Sequence, residues 1–245
     1  MPIAFNEMET RRFGIRCARV EDPRAPLTEI NAAAQSQEIA FLSVRVATDD
    51  IAIVQALEED GYRLMDTLVY YDAPLSTQPI EPRAQDDIEI RAAAPQNADC
   101  VGKVAAAAFS GFFGHYHADT RLSQDACDAI YVDWAKNCVM MQTRGLPVLV
   151  AQTSGKIVGF LAARQCEGTC ANITLNAISP PMQGRGIYGA LLDGALQIMA
   201  AKGYQKVTIS TQINNIAVQR SWGRRGFRLQ RSFYTLHKWI DAQDP

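Results

Sequence analysis

The chain has 245 residues, 48% hydrophobic and 20% charged, and its 24 basic and 26 acidic side chains leave a net charge of −2. That apolar share fills a packed core and excludes wholesale disorder, while the length suits one large domain or two modest ones. The near-neutral balance offers no broad basic face for nucleic acid, and no stretch reaches the ~18 apolar residues that span a bilayer.

The start, Met1-Pro2-Ile3-Ala4-Phe5-Asn6-Glu7, lacks the charged and apolar regions of a secretory signal, so a cytoplasmic location without a membrane partner is expected. Cysteines stand at 17, 100, 127, 138, 166 and 170. Without a sign of export they read as buried thiols rather than disulfides. Cys166 and Cys170 have no histidine near them in sequence, so no metal site is expected.

In the first region a helical run containing Val54-Gln55 leads to Gly61-Tyr62-Arg63-Leu64 and then to a strand, Leu68-Val69-Tyr70-Tyr71. Residues 75–87 are polar and carry Pro79 and Pro82, the composition of an interdomain linker. The chain is therefore cut near residue 80, into domains 1–80 and 88–245.

Beyond the cut, Ile88-Glu89-Ile90-Arg91 alternates as a short strand, and Pro95 opens a helix running to about Phe109. Phe112 to Arg121 is aromatic and glycine-containing, hence a loop. Gln124 to Val139 has helical spacing, with Ile130, Trp134 and Cys138 on one face. Pro147–Ala151 and Ile157–Leu161 flank Thr153-Ser154-Gly155-Lys156, a hairpin signal. Asn172–Ile178 is a strand ending at Pro180-Pro181. A glycine turn follows, then a helix from about Tyr188 to Lys202, a strand Lys206–Ser210, a helix Ile216–Arg224 and a strand Phe233–Trp239. This order is an α/β domain with a mixed sheet. Gly226-Phe227-Arg228-Leu229, between Val218-Gln219 and Phe233–Leu236, repeats the helix–glycine–strand unit around Gly61. Either a common unit recurs by chance, or residues 1–80 are a shortened copy of the second fold.

Gln183-Gly184-Arg185-Gly186-Ile187-Tyr188-Gly189 stands between a strand and a helix. Glycines bring bare N–H groups close to a ligand, and the helix start adds unsatisfied donors, so the turn suits an anion such as pyrophosphate. The same glycines would also serve an ordinary strand-to-helix turn. The Lys-Ser/Thr ending of a P-loop is missing, as is the early placement of a dinucleotide fingerprint, which argues against ATP and NAD.

The turn resembles the acetyl-CoA-binding motif of the GCN-five-related N-acetyltransferases (GNAT family), Arg/Gln-x-x-Gly-x-Gly/Ala. Gln183 and Gly186 match, Tyr188 takes the final small-residue position, and Gly189 follows. Asn215-Ile216-Ala217, Trp222 and Gly226-Phe227 fall at the family spacing of Asn, Ala, Tyr and Gly-Phe. The resemblance runs from residue 88 onward. It implies an α+β mixed-sheet GNAT fold, here behind a smaller, partial GNAT-like N-terminal domain, and an enzyme that is an acyltransferase using acetyl-CoA without a metal. By that resemblance, backbone amides from Gly184 through Arg185, Gly186, Ile187 and Tyr188 to Gly189 hold the CoA pyrophosphate. The strand Leu175-Asn176-Ala177-Ile178 splays from Val207–Ser210 to admit pantetheine, and Asn215 contacts the pantetheine arm. An amine attacks the thioester directly, which requires positioning, a proton acceptor and an oxyanion donor.

The pattern breaks at the acid and base. The family tyrosine that protonates the thiolate is Trp222 here, and an indole N–H donates a hydrogen bond without yielding its proton. Core packing is the other reading of Trp222. The strand before the turn lacks a carboxylate, and its polar residues Asn172, Thr174 and Asn176 could order a water chain instead. Tyr188 and Tyr234 are substitute acids.

The segment Phe109–Arg121 borders the acceptor cleft in this family. Phe113, Tyr116 and Arg121 are its candidate substrate contacts, and His115 or His117 its proton acceptor, since histidine titrates near neutrality. A packed loop with solvated histidines is the alternative. The whole layout is similar to dTDP-fucosamine acetyltransferases, on Phe13-Gly14, Gly61-Tyr62, Tyr131-x-x-Trp134 and Thr211-Gln212 before Asn215. That likeness implies a nucleotide-linked amino sugar as acceptor, with Gln212 near it and Arg121 toward its diphosphate, and family habit favours a homodimer. The competing readings are a peptide or protein N-acetyltransferase, and a non-catalytic acyl-CoA-binding module.

Overall fold

A computed structural model describes residues 1–75, 87–141 and 146–240. The first part of the chain forms β1 (Ile3–Phe5), α1 (Glu7–Phe13), β2 (Cys17–Val20), α2 (Leu27–Ser36), β3 (Phe41–Ala47), α3 (Ile51–Glu59) and β4 (Arg63–Pro74). The second part forms β5 (Glu89–Ala92), α4 (Ala98–Phe109), α5 (His115–Ala118), α6 (Gln124–Met140), β6 (Leu149–Thr153), β7 (Lys156–Gln165) and β8 (Cys170–Ile178). It closes with α7 (Ile187–Ala201), β9 (Lys206–Gln212), α8 (Ile216–Gly223) and β10 (Arg228–Trp239). The sequence-expected cut near residue 80 lies outside the described residues.

Local chemistry accounts for the boundaries. The Asn6 side chain accepts the Glu9 amide to start α1, and Gly14 in the left-handed region stops it. Ser123 caps α6 in the same way. Between β6 and β7, Ser154 and Gly155 both take positive φ, the turn that a two-residue hairpin needs. Gly61 and Gly226, with φ of 87° and 80°, end the two helix–glycine–strand units alike.

Three expectations need correction. Residues 112–121 are not all loop: α5 forms one short helix there, placing His115 at its first position. The buried face of α6 is Cys127, Ile130, Tyr131, Ala135 and Val139, so Trp134 is rotated away and is 40% exposed. The thiols are also not uniformly buried: all six cysteines are free, Cys17 and Cys127 are buried, and Cys100 is exposed.

All ten strands of the described residues join one mixed sheet, ordered β1-β2-β3-β10-β4-β9-β8-β7-β6-β5. The order does not follow the chain. β10, the last strand, pairs antiparallel with β3 from Phe233↔Ala47 to Trp239↔Phe41 and on its other edge with β4. β4, from the first third of the chain, lies between β10 and β9, pairing with β9 from Leu68↔Gln212 to Pro74↔Lys206. Each half of the molecule thus completes its sheet with a strand from the other. One face carries α7 over a core of Leu191, Leu192, Ile173 and Ile209, and the other carries α4 and α6 over Phe160, Leu175 and Val104. α2 and α3 cover a third core around Ile30, Leu57 and Leu236.

Leu236 of β10 is fully buried among side chains of the first part of the chain. Leu236→Ala should cost about 2–5 kcal/mol, and it should move one cooperative urea transition, followed by far-ultraviolet circular dichroism, for the whole chain. Two separated transitions with only one displaced would contradict the shared sheet.

Candidate active site

β8 and β9 run parallel, and their pairing stops at Ile173↔Ile209, although β8 continues to Ile178 and β9 to Gln212. At the same point the β7–β8 register slips: Ala162 faces Leu175 while Ala163 faces Ile173, leaving Thr174 as an extra residue. This bulge reverses the faces of β8. Ala171 and Ile173 pack toward α7, whereas Leu175 and Ala177 pack toward α4 and α6. Past Thr174 the two strands diverge, and a cleft of about 2040 Å³ occupies the opening. Asn172, Asn176, Ala177 and Ile178 line one wall, and Ser210, Thr211 and Gln212 the other. The expected splay of Leu175–Ile178 from β9 is therefore present.

At one end of the cleft is the glycine turn. The Gln183 side chain donates to the Ile178 carbonyl at 3.1 Å, tying the turn to the end of β8. Gly184 and Gly186 adopt φ of 77° and 80°, where a side chain would be strained, and no side chain caps the α7 N-terminus. The first amides of α7 are thus open toward the cleft, an arrangement that favours an anion. Ile187 anchors the turn as a core residue, while Arg185 is exposed and absent from the cleft lining. The cation there is Arg225, which the sequence reading missed. Its guanidinium meets the Asp193 carboxylate at 2.6 and 3.2 Å and lies against Gly189, where a Cβ would collide with it. Asp193, a lone acid in the apolar run Leu191-Leu192-Asp193-Gly194-Ala195, was the available signal.

Trp222 is buried, and its indole N–H donates to the Tyr188 hydroxyl at 2.6 Å. Both residues line the cleft. Burial pushes the Tyr188 phenol well above its ordinary value, with the indole hydrogen bond and Arg225 opposing that shift. Asn215, at the start of α8, donates to the Thr211 hydroxyl at 3.0 Å and also faces the cleft.

The opposite end is built by α1, α5, α6 and the first strands. Tyr116 donates to Glu9 Oε1 at 2.6 Å, and Glu9 Oε2 is buried without a partner among the described residues. Gln212 donates to Asp66 at 3.3 Å. Arg19 of β2 and Arg45 of β3 line the cleft, and neither guanidinium has a hydrogen bond or ion pair among the described residues. His115 lines the cleft beside them. Burial first, then the charges of His237, Arg45, Arg19 and His117, hold its imidazole well below 6.5, so it is neutral at pH 7. Behind it, His115 Nδ1 meets His237 Nε2 at 2.9 Å, and His237 Nδ1 meets Asp119 at 2.9 Å.

Besides Arg185, four sequence-nominated residues do not reach the cleft. His117 turns to Asp128 at 3.0 Å and stacks with Tyr131. Tyr234 points to the other face of β10, against the core under α2 and α3, because strand neighbours alternate and Leu236 is on that face. Arg121 lies 4.2 Å over the Trp239 ring, and Phe113 is 53% exposed. None of the four lines the cleft. Among the described residues no cluster of three metal-ligating side chains occurs, and no helix is long and apolar enough to cross a membrane.

Residues 105–227 match the acetyltransferase (GNAT) family. Over 233 residues the chain is 24% identical to a dTDP-fucosamine acetyltransferase of Escherichia coli O6:H1, covering 94% of this chain and 95% of that protein. It is 25% identical over 209 residues to the spore coat polysaccharide biosynthesis protein SpsD of Bacillus subtilis, covering 84% of this chain and 68% of that one. Among solved structures, a GCN5-related N-acetyltransferase from Sphaerobacter thermophilus superposes with a TM-score of 0.67 at 15% identity, over 97% of this chain and 76% of that one. With the parted strands, the bulge and the glycine turn in one cleft, the chain belongs to the GNAT family and is an N-acetyltransferase.

Proposed function

We propose that the protein transfers the acetyl group of acetyl-CoA directly to the primary amine of a small, phosphate-bearing molecule, a nucleotide-linked amino sugar. The observation that carries this reading is the single cleft, which runs from the uncapped glycine turn at α7 through the gap past Ile173 to His115, Arg19 and Arg45. The glycine turn suits the CoA diphosphate, with Arg225 beside it, and the gap suits a pantetheine arm bonded to the free strand edges. Two guanidiniums without internal partners suit the diphosphate of the acceptor, a role that Arg121 cannot take from its place on Trp239. The relatives' names, one acting on dTDP-fucosamine and one in polysaccharide synthesis, support an amino sugar over a peptide.

In this mechanism His115 accepts a proton from the acceptor ammonium, and the free amine attacks the thioester carbonyl. The C–N bond forms and the C–S bond breaks. Of the two protons the nitrogen gives up, one leaves through His115 to solvent and the other ends on the CoA sulfur, relayed by the Tyr188 hydroxyl. Trp222 steadies the Tyr188 oxygen while that proton is away. The raised Tyr188 value keeps the hydroxyl protonated at neutral pH until a thiolate forms.

Calorimetry with acetyl-CoA, then thiol release with a panel of dTDP-amino sugars, free amino sugars and peptides, tests the reading. Release confined to the dTDP-amino sugars is expected. Binding without release from any amine would favour the non-catalytic module, and release with peptides would favour a protein acetyltransferase. Gly186→Asp, which adds a strained side chain and a negative charge to the turn, should weaken acetyl-CoA at least roughly 10-fold. Unchanged affinity in the folded variant would remove the turn from the donor site.

Tyr188→Phe should lower kcat by roughly 10²-fold, the scale of a lost general acid, with little change in the KM for acetyl-CoA. Trp222→Phe, which removes one hydrogen bond to the acid, should cost only about 3–10-fold in kcat. The reverse ranking would move the acid away from Tyr188.

A further inference from the structure

His115, His237 and Asp119 come from α5, β10 and the residue after α5, and they form one hydrogen-bonded line that ends in the cleft. The far end is fixed. Asp119 accepts the Trp239 indole N–H at 3.0 Å and the Arg121 amide at 3.1 Å, in addition to His237. Burial pushes its carboxyl up, but the bonds from His237, Trp239 and the Arg121 amide outweigh that and hold it below the usual value, so it is ionised. The His237 ring is buried, with the Phe41 ring edge-on at 4.7 Å.

The chemistry of the end sets the direction of every proton in the line. An ionised carboxylate only accepts, so His237 Nδ1 must donate. With one proton on each ring, His237 Nε2 is then the acceptor and His115 Nδ1 the donor. The remaining lone pair of His115 is on Nε2, which has no hydrogen bond among the described residues. We infer that Asp119 and His237 are positioning residues that hold His115 in the Nδ1–H tautomer, presenting its Nε2 lone pair to the acceptor amine. When Nε2 takes the ammonium proton, the new positive charge on His115 is stabilised along the line by Asp119. No bond other than N–H changes in this step, and the proton later leaves from Nε2 to solvent.

The inference rests on the acetyl-transfer reading for its substrate, and on the hydrogen-bonded line with the charge of Asp119 at its end for the tautomer. The groups facing His115 are Arg19 of β2, Arg45 of β3, His237 of β10, and His117 and Tyr116 of its own helix, with Glu9 of α1 bonded to Tyr116. The cations among them oppose a charged imidazole, so a partner that stabilises the imidazolium is needed for the base to act. Asp119 is the anion in line with it.

Long-range proton–nitrogen correlation spectra of the ¹⁵N-histidine-labelled full chain test the tautomer. At pH 7 His115 should carry its proton on Nδ1, and Asp119→Asn or His237→Gln should move it toward Nε2. Circular dichroism confirms folding of each variant. In thiol release with a dTDP-amino sugar, His115→Gln should lose at least 100-fold in kcat. Asp119→Asn should lose at least 10-fold in kcat, with the KM for acetyl-CoA unchanged. An Nε2–H tautomer in the unsubstituted protein would overturn the inference, as would an Asp119→Asn variant with the tautomer and kcat both unaltered. Failure of acetyl-CoA to bind would instead overturn the transferase reading, and the tautomer spectra would still decide the line of bonds.

Discussion

The hydrogen-bond ladder of β10 between β3 and β4 is the constraint on which the rest of the molecule depends. Backbone groups buried in a sheet must be paired, and here one partner of β3 and one of β9 come from the other half of the chain. β10 therefore crosses into the first half, and β4 crosses into the second. The exchange makes one continuous sheet, and it also carries side chains. On the cleft face β10 delivers His237 and Trp239 beneath α5, and β3 delivers Arg45 opposite Thr235 of β10. On the proposed reading, the acceptor end of the cleft is thus assembled from both halves, whereas the donor end belongs to the second half.

Two physical demands divide the cleft. The donor end must offer N–H groups without side chains in the way, which explains glycines at 184 and 186 and the clearance at Gly189 for Arg225. The acceptor end must hold an anion and a neutral base close together. Arg19 and Arg45 serve both needs, since cations near an imidazole lower its proton affinity as they attract the anion. A diphosphate seated on them would cancel part of their field and raise the basicity of His115 at the moment an amine arrives. Substrate charge would then help to switch on the base.

The glycine turn was legible in the sequence because it depends on local chemistry. Gly184, Gly186 and Asn215 act through backbone conformation and helix ends, and these are encoded within a few residues of one another. The strand splay followed from the family resemblance, but the bulge that starts it at Thr174 did not, since a register slip depends on the partner strand. The acceptor end was mostly illegible. Tyr234 and His237 are three residues apart on one strand, yet alternation sends them to opposite faces, and only the identity of the partner strands says which face is the cleft. Asp119 had no local signal, because the partners that define it, Trp239 and His237, are brought to it from the end of the chain.

The replacement of the family tyrosine by Trp222 has a physical account in the same terms. A tryptophan at that position fills the core and can donate but not release a proton, and on the proposed mechanism the proton donor is the neighbour it touches. Tyr188 occupies the position the family motif gives to a small residue, and its hydroxyl accepts the indole N–H at 2.6 Å. The two departures from the family pattern are therefore one arrangement. A bulky residue on the turn would obstruct the gap unless its side chain were drawn aside, and the bond to Trp222 draws it aside. The phenol oxygen accepts from the indole and still has a proton to give. A chain with Trp222 and a glycine at 188 would keep an open turn and lack an acid. One with tyrosine at both positions would carry two acids competing for one thiolate.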